Sequence, residues 1–230
     1  MEAESEPFIA ALGLARDPAR FPAPCPLEVF SGELHGMTVH VVRNGKDPAT
    51  GVDNVGTNGA TLAAWLVGSE LKPDLIVNAG TAGGFRRQGG EIGDVYVCSE
   101  FRNHDRRIAI PGFDRYGIGE VVCAPEPAAE QIAADLGYKV GSVTTGNSLD
   151  WVERDMEQMV ANGAHVKDME GAAIAWAAGF FQIPVLAVKA VTDIVDGDKP
   201  THEEFLENLG SAAAALKEAV PKVLGAIAGA

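Results

Sequence analysis

The chain has 230 residues, 47% of them hydrophobic, and 32 acidic against 18 basic residues give it a net charge of −14. That charge argues against nucleic acid and anionic membrane surfaces as partners, because phosphate contacts need clustered Lys and Arg. Length and apolar content suffice for one sizeable core, and no run of about eighteen uninterrupted apolar residues marks a membrane span. The opening MEAESEPF lacks the basic-then-apolar order of a secretory signal. Cys25, Cys98 and Cys123 are widely spaced and suit reduced thiols, so a cytoplasmic location is expected. Neither CxxC nor HExxH occurs, and no metal site is expected.

In chain order, strand and helix alternate. LEVFSGELHGMTVHVVRNG (27–45) reads as a hairpin turning at His35-Gly36. GATLAAWLVGSELK (59–72) has apolar residues at helical spacing and is stopped by Pro73-Asp74. LIVNAG (75–80) is a continuous apolar run, a strand buried on both faces ahead of a glycine cluster, and DVYVCSEF (94–101) is another strand. PEPAAEQIAADLG (125–137) predicts a helix opened by proline and closed by Gly137. KVGSVTTGNS (139–148) is a strand running into a loop, GAAIAWAAGFF (171–181) a helix, and IPVLAVKAVTD (183–193) the most apolar strand. THEEFLENLGSAAAALKEAV (201–220) predicts a long helix with Thr201 as N-cap and Glu204 three residues on. No repeat, low-complexity tract or long linker divides the chain. The pattern predicts a single three-layer α/β domain over 1–230, a central, mostly parallel mixed sheet flanked by helices. In such folds ligands sit at the carboxyl ends of the strands.

Four polar features fall at predicted strand ends: NAGTAGG (78–84), TTGNSLD (144–150), KDMEG (167–171), and KAVTDIVDGDKP (189–200) with Asp193 at its strand's end. Each also has a plainer meaning. The glycines suit a tight strand-to-helix turn, Asp193 a cap or turn, and Asp168-Met169-Glu170 an acidic first turn favoured by the helix dipole. His104-Asp105, among Arg102, Arg106 and Arg107, reads as a solvated pair in a basic loop.

NAGTAGG, VKDMEGAA and KAVTDIVDG, in that order and spacing, resemble the purine nucleoside phosphorylase and hydrolase family, and within it the 5'-methylthioadenosine nucleosidases, many of which also cleave S-adenosylhomocysteine. The resemblance implies a nucleoside phosphorylase-like fold and hydrolysis of an N-glycosidic bond that releases adenine. Glu170 would accept hydrogen bonds from the ribose hydroxyls, and Met169 would pack against the sugar. Asp193 would protonate N7 of the leaving adenine, which requires a carboxyl whose pKa burial has raised. Leu149 would wall the purine pocket, and backbone groups of Leu149 and Asp150 would read the adenine edge. Thr81 and Gly83 would line the water or ribose region. The general base would be the glutamate of the M-x-x-E segment, Glu4, with Glu2 and Glu6 as neighbouring rivals. No cofactor or metal is implied.

Members of the family carry an apolar β-strand ahead of M-x-x-E, and this sequence opens on that methionine; either the sequence is truncated there, or the fold lacks the strand and exposes its neighbours' edges. A phosphorylase of the family is the nearest alternative; it needs a phosphate-binding arginine ahead of the glycines, where this chain has Asn78. Another purine nucleosidase, or a nucleoside sensor without turnover, is a further alternative. A homodimer is implied, with IAIPGFDRYG (108–117) either closing a neighbour's 5' pocket or forming a surface loop. Methionine salvage is the pathway the resemblance implies.

Overall fold

The computed structural model describes residues 1–21 and 23–229. Strands β2 (Glu28–Leu34) and β3 (Met37–Arg43) form the expected hairpin, with Leu34 opposite Met37. His35 and Gly36 turn it at φ 49° and 80°, the left-handed pair that matches the twist of a two-residue hairpin loop. A short β1 (Ala15–Arg16) pairs with β2 to make a three-stranded sheet.

The second sheet has six strands: β4 (Ile76–Gly84), β5 (Val95–Asn103), β6 (Val121–Val122), β7 (Lys139–Thr145), β8 (Val166–Asp168) and β9 (Val185–Ile194). Their order is β6-β5-β7-β8-β4-β9, and a further β5–β9 pairing closes β5, β7, β8, β4 and β9 into a ring with β6 outside it. The two longest pairings, β4–β9 and β5–β7, are parallel, whereas β4–β8, β5–β6 and β5–β9 are antiparallel. All ten residues of β9 are buried, as an apolar run covered on both faces demands. On one side α1 (Glu2–Leu12) and α7 (Thr201–Ala228) set Phe8, Ile9, Ala212, Leu216 and Val223 against Val97, Leu186 and Val188. On the other, α6 (Gly171–Gly179) packs Ala172, Ala175 and Ala178 on Phe101, Val143, Val185 and Ala187. The three-layer α/β domain is therefore present.

Several local expectations are corrected. The glycine cluster is not a turn: β4 continues through it to Gly84. A Cβ on Gly83 would stand 2.6 Å from Asp193 Oδ2, and one on Gly84 2.9 Å from Val191 Cγ1, so the glycines allow close strand contact. The fourth helix, α4 (Ala129–Leu136), begins after both prolines. Thr201 is the first residue inside α7, whose N-cap is Pro200; Glu204 instead accepts the N–H of Ile194 at 2.7 Å. The sequence did not reveal α1, the short α3 (Asp114–Ile118), α5 (Glu153–Ala161) or β8. Helix α2 (Thr57–Leu66) forms near its expected position, running on through a π-helical turn at Val67–Leu71.

The β3 edge away from β2 and most of the β4 edge away from β9 pair with no other described strand. Between these edges lies a cavity of about 910 Å³, walled by Val39 and Val41 of β3, Val77 and Ala79 of β4, and Val220 and Leu224 of α7. It continues to the carboxyl ends of β4, β8 and β9, where the charged residues gather.

Candidate active site

Helix α1 brings Glu4, but neither Glu2 nor Glu6, into the protein: Glu4 is buried, whereas the other two lie on the surface with Arg43. Glu4 Oε1 accepts the backbone N–H and the hydroxyl of Thr81 at 2.9 and 2.5 Å, and Oε2 meets the ammonium of Met1. Burial pushes this carboxyl's pKa up, but the ammonium and the Thr81 donors outweigh it and hold it below the ordinary value.

Glu170 caps α6, whose all-small face lets the helix seat tightly on the sheet. Its Oε1 accepts the N–H of Gly56 at 2.8 Å, and its carboxyl faces the cavity. Burial and the neighbouring Asp168 charge raise its pKa; Lys189 and the Gly56 N–H oppose them. Asp168, at the end of β8, is fully satisfied: Thr145 Oγ1 donates at 2.6 Å, Gly171 N–H at 2.9 Å, and Lys189 Nζ lies 2.8 Å away. Burial disfavours the Asp168 charge, yet Lys189 and these donors keep its pKa depressed. Lys189 is correspondingly raised against burial by Asp168 and Glu170.

Asp193 is the penultimate residue of β9 and is only 3% exposed. Thr192 Oγ1 donates to its Oδ1 at 2.7 Å, and Gly83 makes room for Oδ2. Burial raises its pKa, and Thr192 and Lys167 only partly offset that. Lys167 Nζ donates to the carbonyls of Ser148 and Leu149 at 2.8 and 2.9 Å and so shapes the loop after β7. Burial lowers the pKa of Lys167.

Glu4, Thr81, Gly83, Leu149, Met169, Glu170 and Asp193 all line the one cavity. Asp150 does not; its side chain is on the surface. His104 is not solvated. It is 2% exposed, its Nδ1 lies 3.2 Å from Thr144 Oγ1, and burial together with Lys167 pushes its pKa down to about 4. Lys167, Lys189 and Gly56 were missed as site residues. A lysine inside the uninterrupted apolar run VLAVKAVTDI is a signal for Lys189, because a buried ammonium requires a carboxylate partner. Gly56 had no such signal, since its partner Glu170 is distant in sequence.

Residues 5–225 match the Phosphorylase superfamily, and the chain belongs to it. Over 230 residues it is 44% identical to the 5'-methylthioadenosine/S-adenosylhomocysteine nucleosidase of Arabidopsis thaliana, covering all of this chain and 89% of that one. The 5'-methylthioadenosine nucleosidase of Arabidopsis is also 44% identical, over 100% of this chain and 85% of that one. Its apo structure superposes with a TM-score of 0.94 at 43% identity, over 99% of this chain and 92% of that one. A nucleosidase from Colwellia psychrerythraea, in complex with adenine, has a TM-score of 0.79 at 27% identity, over 99% and 92% of the two chains.

Proposed function

We propose that this protein is a purine nucleosidase that hydrolyses the N-glycosidic bond of 5'-methylthioadenosine, and also of S-adenosylhomocysteine, releasing adenine. The observation that carries this is one cavity holding carboxyls with opposed proton affinities, Asp193 raised and Glu4 lowered, with Glu170 beside them. That separation supports Asp193 as the acid and Glu4 as the base. Protonated Asp193 donates to N7 as the bond to the sugar lengthens, so adenine leaves neutral. Positive charge grows on the sugar, and Glu170 stabilises it while accepting the ribose hydroxyls on its unoccupied oxygen. Glu4, oriented by Thr81, takes a proton from water as its oxygen bonds to the anomeric carbon. Met169 packs on the sugar and Leu149 on the purine.

The cations beside these carboxyls favour water over phosphate as nucleophile. Lys189 is paired with Asp168, Lys167 serves two carbonyls, and Asn78 stands where a phosphate-binding arginine is wanted. A silent sensor would need neither Asp193 nor Glu4, and both are present and buried.

The segment 108–117 exposes Ile110, Phe113 and Tyr116, and it closes the 5' pocket of a second subunit in a cytoplasmic homodimer. No helix among the described residues is long and apolar enough to cross a membrane. The substrate assignment is tested by kcat/KM for base release from methylthioadenosine, S-adenosylhomocysteine and inosine. Methylthioadenosine is expected to lead; a preference for inosine overturns the adenine assignment.

A further inference from the structure

Gly56 precedes α2 with φ 88° and ψ 178°, a backbone state that essentially only glycine occupies, and its N–H is the group that holds Glu170 Oε1. The next residue, Thr57, donates both its N–H and its hydroxyl to a single oxygen, Asn147 Oδ1, each at 2.9 Å. A Cβ on Gly56 would lie 3.0 Å from that same oxygen. Asn147 is itself held, its N–H donating to Asp105 Oδ2 at 2.6 Å. Upstream of Gly56, Asn54 and Asn44 exchange side-chain amide donors for each other's carbonyls at 3.0 and 3.1 Å. The Val55-Gly56 peptide, whose N–H meets Glu170, is thus flanked by the Asn44–Asn54 exchange on one side and by the hold of Thr57 on Asn147 on the other.

We propose that Asn147 is a positioning residue for Glu170. It fixes the turn whose N–H occupies one oxygen of that carboxylate, and so presents the other oxygen to a ribose hydroxyl. Ser148 and Leu149, the next two residues, are the ones Lys167 holds through their carbonyls. One short segment therefore anchors the base side and the sugar side of the cavity together. The inference rests on Glu170 being the ribose contact, and Asn147 touches no substrate in it.

The test measures binding in the Asp193→Asn background, with 5'-methylthioadenosine and its 2',3'-dideoxy counterpart as ligands, with and without Asn147→Ala. The change is expected to weaken binding of the ribosyl ligand about tenfold and of the dideoxy ligand less than about twofold. Asn147→Asp keeps the acceptor for Thr57 and is expected to stay within about threefold of the parent. If Asn147→Ala does not fold, Thr57→Val, which removes one of the two donors, is expected to show the same ligand dependence. Equal losses on both ligands, no loss on either, or Asn147→Asp as weak as Asn147→Ala would overturn the proposal. Base release by the unmodified chain is scored separately. Its absence with the binding pattern intact sinks the hydrolase assignment alone, and its presence with equal losses sinks this inference alone.

Discussion

At Asp193 the chain holds a carboxyl away from water, beside Thr192 and beneath Gly83, and burial raises its pKa. At Glu4 burial acts the same way, but the Met1 ammonium and the Thr81 donors reverse the outcome. Activity should therefore fall on the acid side as Glu4 takes up a proton, and on the alkaline side as Asp193 loses one. A kcat/KM profile over pH should be bell-shaped, and Asp193→Asn should flatten its alkaline limb. That substitution should lower kcat by about 10²–10⁴-fold while leaving substrate binding, because it removes the proton and keeps the shape. It has a second consequence. The folded state binds the Asp193 proton more tightly than the unfolded chain, so its stability contribution declines as pH rises through the raised folded pKa. Asp193→Asn should then melt above the parent protein by a margin that widens as pH rises toward that raised pKa. A margin that does not vary with pH would assign the effect to packing. Lys189 and Asp168 present the opposite case: each is buried, and each is charged because of the other. Lys189→Met leaves an uncompensated carboxylate and should cost about 3–5 kcal/mol in denaturant unfolding.

The strands of the larger sheet were legible because a buried strand is a continuous apolar run, and VLAVKAVTDI and LIVNAG are of that kind. The glycines after LIVNAG misled, since a strand that must pass close to Asp193 and a turn that needs a positive φ both select glycine. Strand β8 has three residues, too few to show a period, and α1 shows no clear apolar stripe because only Glu4, Ser5, Phe8 and Ile9 of it are buried. At the site, the three carboxylates were found through motif resemblance. Asn147 and Gly56 were not, because their contacts join segments about ninety or more residues apart. The corrected role of the glycines is testable at this scale. Gly83→Ala would bring a methyl 2.6 Å from both Asp193 Oδ2 and Val195 Cγ2. It should cost about 1–3 kcal/mol of stability and displace the acid, lowering kcat more than it raises KM.

Across the described residues, a hairpin sheet and a ring of strands enclose a cavity whose apolar end lies between β3 and β4 and whose charged end carries the carboxyls. In the proposed homodimer a second subunit covers the exposed Ile110, Phe113 and Tyr116, and sedimentation should then report about twice the 24.0 kDa of one chain. The central claim is that water attacks the sugar. It is tested most directly by incubating the protein with 5'-methylthioadenosine in oxygen-labelled water, with and without phosphate, and following adenine and the sugar product. Adenine release at the same rate in both buffers, with the label on the anomeric carbon of the sugar, is the predicted result. Release only when phosphate is present, with a sugar phosphate as product, would contradict it.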